Sequence, residues 1–162
     1  MKKFLVAVFA GIISLALWGN PYEDFLSSEK EAFAQAKEDK KIVFALFTGS
    51  DWCPACIKLA NNVISKKEFI EGLEDKYVLL LVDMPRYRRL KEVTARQNAQ
   101  LMEKFKVNSF PTIVLITPEG EELKKFNYIP NSSVKNFMIW FNNESNEAVE
   151  NYWKKAAEKV EK

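Results

Sequence analysis

The chain has 162 residues, 48% of them hydrophobic and 28% charged, which suits one globular domain and excludes disordered and fibrous classes. Lys and Arg number 24 against 22 Asp and Glu, and without Lys2 and Lys3 the two balance, so bulk charge argues against a nucleic-acid partner. Histidine is absent, which removes Ser-His-Asp triads, Cys-His nucleophiles and histidine metal sites, and the two cysteines are Cys53 and Cys56.

Met1-Lys2-Lys3 is a basic start, and Phe4 to Trp18 is an uncharged apolar run. At roughly 15 residues the run is shorter than the ~20 of a membrane-spanning helix, and the pattern reads as a secretory signal peptide over residues 1–19. An uncleaved anchor in a membrane facing the periplasm is the alternative. Either reading puts a domain at 20–144 and a helical extension at 145–162 in the periplasm or another exported space, where disulfides persist.

Ser28 to Lys40 predicts a helix, with Ser28 and Glu31 as a capping box and Phe25, Ala32, Phe33 and Ala36 as its apolar side. Ile42 to Phe47 is a short continuous apolar run, hence a buried strand. Pro54 to about Ser65 predicts a helix with Ile57, Ala60, Val63 and Ile64 inward. Tyr77 to Val82 is a second buried strand, stopped by Asp83-Met84-Pro85. A helix follows over Thr94 to Phe105, with Ala95, Leu101, Met102 and Phe105 inward. Thr112 to Thr117 is a third strand, Pro118 to Glu121 a turn, and Glu122 to Tyr128 its hairpin partner. Asn131 or Ser132 caps a helix through Phe141, and Ser145 caps a last one to about Val160. Strands separated by helices predict parallel pairing, with the hairpin adding an antiparallel strand. The expected class is α/β: a mixed central sheet, helices on both faces and an extra C-terminal helix.

Trp52-Cys53-Pro54-Ala55-Cys56 falls where a buried strand gives way to a helix. Pro54 suits the first helical position, because it has no amide hydrogen to leave unsatisfied. Cys53 then lies at the helix N-terminus, where free N–H groups and the macrodipole favour a thiolate. Cys56, one turn on, faces the same side and can close a small disulfide ring. The pair therefore reads as an attacking and a resolving thiol. Three other readings stay open: half of a zinc site shared across a dimer, two inert buried cysteines at a helix start, and a Cu(I) chaperone in which Met84, Met102 or Met138 adds a thioether. The redox reading needs no cofactor.

Phe110-Pro111 precedes the third strand. It is either an ordinary strand-start proline or a cis proline beside the cysteines, which would leave the Phe110 backbone to pair with an extended substrate. Arg86, Arg88, Arg89 and Lys91 form a basic cluster, read as a solvated face or a docking surface for an acidic partner.

The stretch FTGSDWCPAC after a buried strand, followed by EKFKVNSFPTIVLITPEGEEL, resembles the thioredoxin superfamily from about Ser28 to Phe141. Within it the chain is similar to single-domain secreted bacterial thioredoxin-like oxidoreductases, such as the periplasmic DsbH type. The resemblance implies a thiol–disulfide oxidoreductase with Cys53 as nucleophile, Cys56 as resolving thiol, Trp52 flanking the nucleophile and Pro111 cis. Trp52, Pro54, Phe110 and Pro111 would then border the substrate. It also implies disulfide-containing exported proteins as substrates and a membrane-embedded thiol donor of electrons; a monomer is expected. Two departures stand out. The dipeptide is Pro54-Ala55 in place of Gly-Pro, and the strand Ile42 to Phe47 lacks the buried acid that helps many thioredoxins move the resolving cysteine's proton. Strong oxidants often carry a histidine inside the motif, and Ala55 offers nothing similar, so reduction is the favoured direction, with oxidation or isomerisation of disulfides as the alternative.

Overall fold

A computed structural model describes residues 19–127, 129 and 133–160. The apolar run of the expected signal segment, and the helix-capping positions Asn131 and Ser132, lie outside the described residues. Among those that are described, no helix is long and apolar enough to cross a membrane.

The elements run α1 (Glu29–Asp39), β1 (Ile42–Thr48), α2 (Pro54–Leu59), a π turn (Ala60–Ile64), α3 (Lys67–Leu73), β2 (Tyr77–Asp83), α4 (Glu92–Lys104), β3 (Thr112–Ile116), β4 (Glu122–Phe126) and α5 (Val134–Val160). The Ser28 side chain accepts from the Glu31 N–H and starts α1. Lys40 ends it with φ 52°, the left-handed conformation in which a helix can hand its last carbonyls to the following amides. The strand order is β2-β1-β3-β4, a thioredoxin-like α/β arrangement. A single bridge from Leu26 to Leu80 lengthens the β2 edge.

β1 pairs parallel with β2, from Ile42 opposite Tyr77 to Thr48 opposite Asp83. The expectation of parallel pairing fails at β3, which is antiparallel to β1 as well as to β4. The register gives the reason. β2 ends opposite Thr48, and β3 begins with Thr112 opposite Phe47. The connection through α4 thus re-enters the sheet at the end it left, and a helical crossover gives parallel strands only when it returns to the opposite end.

Side chains alternate between two cores, as a pleated sheet requires. Ile42, Phe44 and Leu46 face α2, the π turn, α3 and α5, where Leu59, Phe69, Leu73, Phe137 and Phe141 are buried. Val43, Ala45 and Phe47 face α1 and α4, against Ala32, Ala36, Leu101 and Phe105. Phe44 holds the first core, with ring centroids of Phe25, Phe69, Tyr77 and Phe141 within 5.4–6.5 Å. Truncating such a buried ring to Ala costs about 3–5 kcal/mol.

Several expectations are corrected. Phe25 belongs to the α5 side of the sheet, across from Ala32 and Ala36. Ile57 is 39% exposed, and Cys56 and Leu59 take the inward positions of α2. In α4, Asn98 is buried where Ala95 was expected; its side-chain amide donates to the Asp83 carbonyl at 2.8 Å. α3 was not foreseen; its inward residues are only Phe69 and Leu73. The two expected C-terminal helices are one 27-residue helix. Ser145 is fully buried inside it and accepts a 3.4 Å hydrogen bond from the Tyr77 hydroxyl. Its start is marked by the Ser133 hydroxyl, which accepts from the Asn136 N–H at 3.2 Å.

Candidate active site

β1 delivers the chain to the cysteines through Gly49-Ser50-Asp51-Trp52. The Cys53 N–H and the Trp52 N–H both donate to the Gly49 carbonyl, at 2.9 and 3.3 Å, which turns the backbone into α2. Cys53 is the N-cap: its φ and ψ are extended, and Pro54 occupies the first helical position. Its sulfur accepts the Cys56 N–H at 3.3 Å and lies 3.8 Å from the Phe110 carbonyl, to which the thiol donates. Both cysteines are free thiols, Cys53 6% exposed and Cys56 1%.

Cys56 sits deeper. Its sulfur accepts the Gly49 N–H at 3.5 Å. Burial pushes its thiol up to about 11, and the hydrogen bond with Cys53 adds to the rise; the Gly49 N–H and the Thr48 side chain pull the other way. The Cys53 sulfur is the more accessible of the two, while the inner one keeps its proton at neutral pH.

The surround is aromatic on one side. The Trp52 and Phe110 rings stand edge to face at 6.0 Å, and the Phe110–Pro111 peptide bond is cis. Trp52 and Pro54 flank Cys53 in the chain, and the Phe110 carbonyl 3.8 Å from its sulfur brings Phe110 and the following Pro111 alongside; Pro54 is exposed and Pro111 half-buried. Trp52 is fixed from below and beside. Its indole N–H donates to the Met84 carbonyl at 2.7 Å, and the Arg86 guanidinium lies 3.6 Å from the ring centroid.

The basic cluster is anchored to this wall. Asp51 accepts the backbone N–H groups of Arg86, Tyr87 and Arg88 at 2.8–3.2 Å. Burial alone would raise the Asp51 carboxyl, but these three donors outweigh it and hold the group below the usual range. Arg88 pairs with the buried Asp83 carboxylate, which also accepts from the Ser50 N–H at 2.9 Å and the Ser50 hydroxyl at 2.7 Å. Tyr87 projects, 82% exposed. Two of the four expected basic residues are thus held against Trp52 and Asp83.

Sequence reasoning did not single out Gly49, Asp51 and Asp83, which the fold sets around the motif. The signal for Asp83 was legible: an acid ending a buried strand that runs beside the strand leading to Cys53. Met102 packs with the α1–α4 core and Met138 with the α5 core, so neither is drawn toward the sulfurs for metal binding.

A sequence family described as a thioredoxin-like domain matches residues 29–135. The disulfide bond reductase DsbH of Chlamydia pneumoniae is 33% identical over 103 residues, 64% of this chain and 62% of that protein. The thioredoxin-related protein DsbJ of the same organism is 31% identical over 107 residues, 66% of this chain and 31% of its own. The chain therefore spans less than two thirds of the length of either relative. A solved structure titled DsbH oxidoreductase superposes with a TM-score of 0.66 at 28% identity, covering 76% of this chain and 82% of that one.

Proposed function

Because the chain belongs to the thioredoxin-like family, we propose that it is an exported thiol–disulfide oxidoreductase that reduces disulfides of exported proteins through a Cys53–Cys56 cycle. The observation that carries this reading is the pair of free thiols joined at a helix start, the Cys56 N–H on the Cys53 sulfur at 3.3 Å.

The cycle has two displacements. The Cys53 thiolate attacks one sulfur of a substrate disulfide and forms a mixed disulfide, releasing the other sulfur as a thiolate. Cys56 then attacks the Cys53 sulfur, the bond to substrate breaks, and the Cys53–Cys56 disulfide remains. Substrate gains two electrons, and the protein loses two. The Cys56 N–H and the start of α2 favour negative charge on Cys53 before the attack. Trp52, Pro54, Phe110 and Pro111 border the sulfur and hold an extended substrate segment across it.

Two observations favour reduction over oxidation. One relative, matching over 103 residues at 33% identity, is named a disulfide bond reductase. The dipeptide Pro54-Ala55 brings no charged or histidine partner to stabilise the thiolate of a strongly oxidising pair. Export rests on the basic and apolar pattern of residues 1–18, and an exported reductase needs a membrane thiol donor to restore the dithiol. Catalysed reduction of insulin with dithiothreitol as electron source tests the activity. The wild-type chain is expected to accelerate it and the Cys53→Ala variant to leave the uncatalysed rate; equal acceleration by that variant would overturn the reading.

A further inference from the structure

Trp52 offers a substrate little bare indole. Gly49 packs so close to the ring that a Cβ there would fall 2.5 Å from it, and the Arg86 guanidinium lies 3.6 Å from the ring centroid. That is the spacing of stacked planes in van der Waals contact. Over that face the wall beside Cys53 therefore presents a cation. The Arg86 backbone is held as well, its N–H donating to Asp51 at 2.9 Å. The charges nearby differ in what they have left to offer. Arg88 is paired with the buried Asp83 carboxylate, and the Asp51 carboxylate is met by three backbone N–H groups. Arg86 is exposed, and among the described residues no carboxylate lies within ion-pair distance of its guanidinium. A stacked guanidinium keeps its N–H donors in its own plane, where they can fork onto a carboxylate.

We propose that Arg86 is a specificity-determining residue: it selects polypeptide disulfides whose cysteine is flanked by Asp or Glu, pairing the edge of its guanidinium with that carboxylate. The inference rests on the dithiol cycle proposed above and names a substrate class for it. Trp52 immediately precedes Cys53, and neighbouring residues of an extended segment lie about 3.3 Å apart, so an acid beside the substrate cysteine comes to the wall that Arg86 covers. The stacking on Trp52 and the hydrogen bond to Asp51 hold Arg86 in place before a substrate arrives. Less side-chain freedom is then lost when the pair forms. Asp51, the acid nearest in the chain to Trp52, opposes this little, because three donors already answer its charge. Arg89 and Lys91, exposed further along the same stretch, add positive potential without covering the indole.

The full reduced chain is mixed with disulfide-linked peptide dimers, one with Asp on both sides of each cysteine and one with Asn, and the rate constants for release of peptide thiol are compared. Dividing each by its rate constant with dithiothreitol removes the peptides' own difference in reactivity. The wild-type chain is expected to favour the Asp peptide about fivefold at low ionic strength, the size of one exposed charged pair. Sodium chloride at about 0.5 M should screen most of that preference. Because the readout is a ratio, a general loss of rate from a shifted Trp52 cancels. Arg86→Gln is expected to bring the ratio to about one, and Arg86→Lys, which keeps the charge without the planar fork, to leave part of it. Arg89→Gln removes the same charge from the same stretch and should keep the wild-type ratio. Equal normalised rates for the peptides in the wild-type chain, a wild-type preference in Arg86→Gln, or an equal loss in Arg89→Gln would each overturn the inference. So would a preference indifferent to salt, which needs no variant to fold. If the wild-type chain reduces neither peptide, the dithiol cycle itself fails.

Discussion

The backbone N–H of Cys56 donates to the sulfur of Cys53 at 3.3 Å, so the sulfur proposed as the nucleophile also caps the helix that carries the proposed resolving thiol. One contact serves structure and chemistry. The two cysteines should therefore fail differently. Cys53→Ala is expected to abolish disulfide reduction and, by losing the cap, to lower stability by about 1 kcal/mol, read from the urea midpoint. Cys56→Ala keeps the cap, since its amide remains. It is expected to stall as a mixed disulfide with substrate, visible as a covalent adduct by mass spectrometry. Turnover by Cys56→Ala at the wild-type rate would remove Cys56 from the mechanism.

Reduced and oxidised chains should part at alkaline pH. The Cys56 thiol is raised from 9.0 to about 11, burial being the largest cause. A group raised on folding contributes stability that is present below its ordinary value and lost as pH rises through its folded one. The melting temperature of the reduced chain is expected to fall between about pH 9 and pH 11 relative to that of the oxidised chain, which has no thiol to ionise. Tyr22, raised to about 12, titrates in both forms and drops out of the difference. Parallel curves for the two redox forms would contradict the buried, protonated Cys56.

Among the described glycines, Gly49 is the one beside the site, and a side chain has no room there. A Cβ there would meet the Trp52 indole at 2.5 Å. Gly49→Ala must push Trp52 off the Met84 carbonyl and away from Arg86. Overpacking of this kind costs about 1–3 kcal/mol. Insulin reduction is expected to drop several-fold even in samples shown to be folded by circular dichroism. Wild-type activity in the variant would show that the Trp52 wall does not border the substrate.

Ser145 distinguishes one long helix from two. Inside α5, a proline removes an intrahelical bond and clashes with the preceding turn, at about 3 kcal/mol or more. At the cap of a separate helix it would be tolerated far better. Ser145→Pro is expected to unfold at markedly lower denaturant, whereas Ser145→Ala loses only the Tyr77 hydrogen bond, about 1 kcal/mol. Urea midpoints within error of each other for the two variants would argue for a break in the helix.

Much of this architecture was legible in the residues, and its gaps have physical causes. Continuous apolar runs announced β1, β2 and β3, and Pro54 with Cys53 announced the helix start, because those features are local. The direction of β3 was not, since it depends on where residues 105–111 lead the chain. The break expected at Asn142 to Ser145 came from polar residues that disfavour helix in isolation. Tertiary burial overrides that preference, because Phe137, Phe141, Ser145 and Val149 share one face at intervals of four, and a serine is small enough to meet Tyr77 there. At the site, the sequence named Trp52, Cys53, Pro54, Cys56, Phe110 and Pro111. It did not name Gly49 or Asp83, whose place at the site lies in what they touch: the Cys56 sulfur in one case, Ser50 and Arg88 in the other.

The direction of the cycle is the central claim, and the reduction potential of the Cys53–Cys56 pair tests it most directly. Equilibrated against a glutathione buffer, the pair is expected near the thioredoxin value of about −270 mV, where it passes electrons to substrate disulfides. A potential of about −120 to −180 mV would place it among oxidants and isomerases and would contradict the assignment as a reductase.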